Sequence, residues 1–175
     1  MIRMPQRADL IDLESLHLRP GEGRTIDAQV RVDALELGGQ PYPVEGGAVD
    51  TRLDISRTLS GYAMRLRFDA PMTGACMRCM ADARPVVGVD AREVDQPGDA
   101  EELHSPYLED GLLDLVAWAR DALVLALPAQ IVCRDECLGL CPVCGENLNE
   151  SDPAAHRHEA TGDPRWAKLR DLKLG

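Results

Sequence analysis

Six cysteines in this chain fall into two clusters, and their spacing is that of metal ligands. Cys76-Met77-Arg78-Cys79 and Cys141-Pro142-Val143-Cys144 are both C-x-x-C pairs, and Gly145 directly follows the second. A tight turn between such cysteines aims both thiolates at one cation, and a glycine beside it supplies the backbone freedom the turn needs. One pair is a moderate metal signal; two are a strong one. Cys133 and Cys137 add thiols, while His156 and His158 add imidazoles. The soft ligands are therefore Cys76, Cys79, Cys133, Cys137, Cys141, Cys144, His156 and His158. They divide into two tetrahedral sets, as closed structural zinc sites require, so one or two zinc ions are expected.

Three groupings are open. The preferred one joins Cys76 and Cys79 with Cys133 and Cys137, clipping the segment after a predicted helix to the preceding strands, and joins Cys141 and Cys144 with His156 and His158. A second joins the two C-x-x-C pairs into a zinc ribbon and leaves Cys133 and Cys137 over. A third uses Cys133, Cys137, Cys141 and Cys144 alone.

Catalysis is the weaker reading of these thiols. A redox C-x-x-C wants a helix N-terminus after a strand, which lowers the thiolate pKa. Here strand-like sequence lies on both sides of Cys76-Cys79. A hydrolytic zinc needs an open coordination position and a nearby general base, whereas this ligand surplus argues for closed sites. The sequence contains no glycine-rich phosphate loop, nucleophile elbow or H-E-x-x-H. The expectation is a protein that is not an enzyme and takes no small-molecule substrate.

The elements that must position these ligands read as α+β. From Tyr62 to Asp69, Tyr62, Met64, Leu66 and Phe68 alternate with Ala63, Arg65, Arg67 and Asp69, the signature of a half-buried strand. Leu53 and Ile55 alternate with polar neighbours just before, with Ser60-Gly61 as the turn. A similar strand is predicted from Ile26 to Leu37, closed by Gly38-Gly39, and another around Val87, Val89 and Ala91. The short connections favour an antiparallel sheet, open or a partial barrel. Asp110 reads as the N-cap of an apolar helix running to about Leu127 and stopped by Pro128, buried against the sheet. Asp163-Pro164-Arg165-Trp166, with Leu169 and Leu172, predicts a short docking helix. The expected organisation is a β domain over 1–94, an acidic linker and apolar helix over 95–130, and a cysteine-rich zinc-binding tail with a terminal helix over 131–175.

Among the 175 residues there are one Phe, two Trp and three Tyr, so the core is aliphatic and little is left for a base-stacking platform. The net charge of −11 is uneven. Between Val89 and Asp114 nine acids (Asp90, Glu93, Asp95, Asp99, Glu101, Glu102, Glu109, Asp110, Asp114) face Arg92 alone. That stretch suits a basic protein partner. Arg52, Arg57, Arg65 and Arg67 lie in the locally basic strand region and are the candidate phosphate-facing residues. His17 and His104 read as surface residues. The N-terminus has no hydrophobic signal core and no apolar run reaches about 18 residues, so a soluble, cytoplasmic protein without a membrane partner is expected. There, clustered thiols favour metal over disulfides.

Taken in order, Cys76-Met77-Arg78-Cys79, the leucine-rich helix ending Ala126-Leu127-Pro128, the string Cys137-Leu138-Gly139-Leu140-Cys141-Pro142-Val143-Cys144-Gly145-Glu146-Asn147-Leu148-Asn149, and Asp163-Pro164-Arg165-Trp166 resemble the YceD family, also called DUF177. The resemblance runs from about Ile11 to Leu172. Many members carry a C-x-C after the N-L-N string, where this chain has His156-Arg157-His158 farther on, past Ser151-Asp152-Pro153. The resemblance implies a non-enzymatic role in the accumulation of large-subunit ribosomal RNA and in large-subunit biogenesis. Its implied partners are that RNA or its precursor, a basic ribosomal protein, or both. Two other readings stand beside it: a zinc-ribbon protein-interaction module without RNA contact, and a thiol oxidoreductase.

Overall fold

The computed structural model describes residues 6–7, 9–96, 98, 103–152 and 156–158. The predicted helix from Asp163 lies outside the described residues. Among the described residues twelve strands and one α-helix make an α+β fold whose sheets are mostly antiparallel.

The main sheet has five strands: β1 (Gln6–Arg7), β3 (Gly23–Arg31), β6 (Ala48–Arg57), β7 (Tyr62–Pro71) and β10 (Val86–Asp95), in the order β1-β3-β6-β7-β10. Among the described strands only the short β1–β3 pair is parallel. Among the described residues β1 and β10 are its two edges, so it is an open sheet and not a closed barrel. Alternation along the three long central strands decides which side is core. Val49, Leu53 and Ile55 of β6, and Met64, Leu66 and Phe68 of β7, all turn to one face and are buried. Register aligns these rows, with Leu53 opposite Leu66 and Phe68 opposite Val89, so one face becomes continuously apolar.

The strand expected from Ile26 to Leu37 is in fact two. β3 ends at Arg31, and β4 (Leu35–Leu37) forms a separate hairpin with β5 (Gln40–Tyr42) across Gly38-Gly39. The two residues of that turn have φ of 60° and 78°, the mirror-image turn whose twist matches that of the flanking strands. The helix is also shorter than its apolar pattern suggests. Asp110-Gly111 is not a cap; it is a hairpin turn, with φ of 48° and 77°, between β11 (Leu108–Glu109) and β12 (Leu112–Asp114). β12 then pairs with β2 (Leu10–Asp12). α1 (Leu115–Ala126) starts one turn later, where the Asp114 carboxylate accepts the Ala117 N–H at 2.9 Å.

α1 lies on the apolar face against β10 and β3, with Leu115, Trp118, Ala119, Ala122 and Leu123 buried. Tyr107 stacks on Trp118 with ring centroids 6.2 Å apart. The last strand pair, β8 (Gly74–Ala75) with β9 (Asp82–Ala83), is a small hairpin whose tip is the first C-x-x-C. Tyr42 of β5 fixes this hairpin, donating its hydroxyl to the Ala75 carbonyl at 2.7 Å. Its ring fills the space a side chain at Gly74 would need. One contiguous core joins the sheet, α1, Cys76, Cys79, Ile131 and Cys137. No described helix is long and apolar enough to cross a membrane.

Candidate metal centres

The two C-x-x-C loops are built alike. In each, the backbone N–H two residues after the first cysteine points at its sulfur: Arg78 to Cys76 at 3.5 Å and Val143 to Cys141 at 3.4 Å. In each, the first cysteine's carbonyl accepts the N–H four residues on, from Met80 at 2.9 Å and from Gly145 at 2.8 Å. That closing residue takes a left-handed conformation, with φ of 62° at Met80 and 76° at Gly145. Glycine fits there without strain. The first loop achieves the same turn with a methionine, so the glycine signal marked only one of the two.

The structure brings the eight ligands together as the preferred grouping has them. Cys76, Cys79, Cys133 and Cys137 form one set, and Cys141, Cys144, His156 and His158 the other, with donor atoms in each within 4.8 Å of one another. The first set draws on the β8–β9 tip and the chain after α1. Ile131 ties those pieces, its carbonyl accepting the Met77 N–H at 2.8 Å and its N–H facing the Met77 sulfur at 3.4 Å. The sulfur atoms of Cys76 and Cys137 are 3.8 Å apart, and those of Cys79 and Cys133 3.6 Å. Four thiolates about 2.3 Å from a tetrahedral zinc stand about 3.8 Å from each other, so the spacing fits the ion. A disulfide needs about 2.05 Å, and all six cysteines are free thiols.

Electrostatics in this first set point the same way. Burial opposes the Cys76 thiolate, but the N–H groups of Arg78, Cys79 and Cys133 outweigh it and bring its pKa down to about 6. Burial likewise opposes ionisation of Cys137, yet the Asn149 amide and its other donors hold its pKa below the usual thiol value. At Cys133, burial and the surrounding thiols push the pKa up to about 12. At Cys79 the Ala81 N–H favours the thiolate, but burial and the bonds to Cys76 and Cys137 prevail, and its pKa rises. Ionisation is thus favoured at Cys76 and Cys137 and opposed at Cys79 and Cys133. A divalent cation bound there would favour the thiolate form of all four.

The second set is more open: Cys141 is buried, Cys144 and His158 are exposed. The Nε2 atoms of His156 and His158 are 3.0 Å apart, and Cys144 Sγ is 3.7 Å from His156 Nε2. For sulfur and nitrogen on one tetrahedral zinc the separation is about 3.6 Å. Glu146 turns His156 for this task, its carboxylate lying 3.0 Å from Nδ1 so that Nε2 faces the thiols. The hydrogen bond to Cys141, then the neighbouring charges, raise the His156 pKa, and the same contact helps bring Cys141 down to about 6. Unlike the first set, Cys141 stands outside the continuous core. Cys141→Ser is therefore expected to raise amide exchange over 141–158 while lowering the melting of the sheet by no more than about 5 °C. A single cooperative loss of the whole chain would overturn that separation.

Spacing did not reveal the supporting residues. Asn149 donates its side-chain N–H to Cys137 Sγ at 3.5 Å and to Asn147 Oδ1 at 2.8 Å. Its Oδ1 accepts the Leu138 N–H at 2.9 Å and Arg134 at 3.0 Å. The N-L-N string thus braces the loop around the thiols. Its signal was present in the sequence as asparagine at a turn, which caps backbone groups.

The candidate RNA-facing arginines are engaged with their own sheet. On the outer face, Arg31, Arg52, Arg65, Arg67 and Arg92 alternate with Asp27, Asp50, Asp54, Asp69 and Asp90, five charges of each sign. Arg65 bonds Asp90 through two nitrogens, at 2.7 and 2.5 Å, and Arg67 bonds Asp54. Arg52 lies 3.9 Å from Asp54, and Arg57 sits 4.5 Å over the Tyr62 ring. The acidic stretch is partly turned inward as well. Asp95 is buried and accepts the Ser105 N–H at 3.1 Å, Asp114 caps α1, and burial raises the Glu93 pKa. His104, exposed as expected, stands 3.8 Å from Asp95.

Comparison with known proteins places this arrangement. An uncharacterized protein of Mycobacterium tuberculosis strain H37Rv is 34% identical over 169 residues, spanning 93% of this chain and 80% of its own. An uncharacterized protein of Mycobacterium bovis aligns with the same figures. One of Mycobacterium leprae is 30% identical over 171 residues, spanning 93% of this chain and 76% of its own. No solved structure matches the chain. The profile of the family described as Large ribosomal RNA subunit accumulation protein YceD matches residues 64–173, which include both ligand sets. The chain belongs to the YceD family.

Proposed function

We propose that this protein is a non-enzymatic, cytoplasmic factor in large-subunit biogenesis. It supports large-subunit ribosomal RNA accumulation, and two structural zinc ions clasp its cysteine-rich segment to the sheet. The family match over residues 64–173 carries the reading, and the two four-donor cages support the zinc. Among the described residues each cage offers four donors, the number a closed structural zinc site takes. The test is the ratio of large- to small-subunit ribosomal RNA in cells depleted of the protein. A selective fall in the large-subunit RNA is expected, and an unchanged ratio would overturn the role.

The partner is large-subunit RNA or its precursor, met through the outer sheet face, with a basic ribosomal protein at the remaining acidic surface. On that face a phosphate must displace Asp54 from Arg67 or Asp90 from Arg65, an exchange that keeps binding modest and salt-sensitive. Arg65→Ala with Arg67→Ala is expected to weaken binding of a large-subunit RNA fragment and to flatten its salt dependence by about two ions. The balanced charge of the same face favours one rival, an interaction module with no RNA contact. Salt-independent binding that ignores both arginines would select that rival.

A further inference from the structure

The two ligand sets share a strut. Cys137 belongs to the first and Cys141 to the second, with Leu138-Gly139-Leu140 between them. That strut is fastened at every step. The Leu140 N–H donates to the Arg78 carbonyl at 2.9 Å, inside the first C-x-x-C loop. The Gly139 carbonyl accepts the Leu148 N–H at 2.9 Å, and Leu140 bridges Asn147. A Cβ on Gly139 would stand 3.0 Å from the Arg78 carbonyl oxygen, and its φ is 82°, so the strut lies close against the first loop in a conformation that favours glycine. From the other side, the Glu146 carbonyl accepts the Cys141 N–H at 2.8 Å. Asn149 closes the circuit, holding Cys137 Sγ, the Leu138 N–H and Asn147 at once. A cation that fixes Cys137 therefore fixes the backbone that aims Cys141, and the reverse.

We propose that the two sites bind zinc with positive cooperativity, and that Asn149 is the positioning residue that couples them although it touches no ligand of the second set. The inference rests on the zinc reading given above. Coupling of this kind is reciprocal: whatever factor the first ion adds to the affinity of the second, the second adds to the first. Ordering energy is spent once for both ions. Consequently the chain passes from empty to doubly loaded over a narrow range of free zinc. The clasp then responds to metal supply more steeply than two independent sites would.

The test is a titration of the reduced, metal-free full chain with Zn2+ against a chromophoric chelator, repeated with Co2+. Cobalt gives distinct absorption for a four-sulfur and a two-sulfur, two-nitrogen site, so the two fillings are read separately. In the wild-type chain both signals are expected to rise together with a Hill coefficient above 1. Cys137→Ser is expected to weaken the second site about tenfold, although it keeps all four of its ligands. Asn149→Ala is expected to weaken both sites about tenfold and to separate the two signals. Asn149→Asp keeps the acceptor for Leu138 and Arg134 but loses the N–H aimed at Cys137. It is expected to behave as alanine does with an unchanged far-ultraviolet spectrum, which sets aside misfolding. Two signals that rise independently in the wild type, or a second site indifferent to Cys137→Ser and Asn149→Ala, would overturn the coupling. A wild-type chain that takes up neither ion would overturn the zinc reading instead.

Discussion

Cys76→Ser is expected to lower the melting temperature of the whole chain by about 10 °C or more, together with loss of zinc from the first site. Cys76 is completely buried, and its sulfur lies within the same apolar core as Leu53, Leu66 and Leu123. Serine there gives a neutral hydroxyl in place of a soft anionic ligand and leaves Cys79, Cys133 and Cys137 to share a cage built for four. A structural zinc contributes about 10–16 kcal/mol of apparent binding energy, comparable to the entire stability of a domain. Losing even a third of that amounts to about 3–5 kcal/mol, and about 2–4 °C accompany each kcal/mol in a chain of this size. Calorimetry with metal analysis of the same sample checks it. A variant that melts within about 2 °C of the wild type would show the first site to be dispensable.

Trp118→Ala should destabilise comparably by a different route, about 3–5 kcal/mol, while both metal sites stay filled. Trp118 is 2% exposed and is the largest fully buried side chain among the described residues. It carries the packing of α1 on β10 and supports Tyr107 on its ring. The helix has no other aromatic residue to take up the space, so the cavity cannot close around small neighbours such as Ala119 and Ala122. The pair of variants separates the two sources of stability. Cys76→Ser loses metal and melts early; Trp118→Ala melts early with its metal retained. Zinc loss from Trp118→Ala under native conditions would mean that the cages depend on the helix packing, against this account.

How much was legible followed from how local the signal was. β6, β7 and β10 showed in the alternation of their side chains, because burying one face imposes a period of two on the residues themselves. The grouping of thiols and histidines was within reach by counting donors, since closed zinc sites take four. Two elements were misplaced where local chemistry has two readings. Asp110 before an apolar run is either a helix cap or half of an Asp-Gly turn, and β12 pairing with β2 selects the turn. Residues 32–34 divide a run that had looked like one strand, because β4 turns away to pair with β5 instead of continuing along β6. Which arginines were paired was beyond reach altogether. Asp90 lies 25 residues from Arg65, and only the register of β7 with β10 makes them neighbours. The same holds for Asn149 on Cys137 and Glu146 on His156, since hydrogen bonds across a folded loop leave no periodic trace.

Metal content tests the central claim most directly. The chain, purified in reducing buffer without added metal and passed through gel filtration, is predicted to carry two zinc ions per molecule, bound by the four-thiol and the two-thiol, two-histidine cages. A folded chain that emerges free of zinc and takes none up would contradict it.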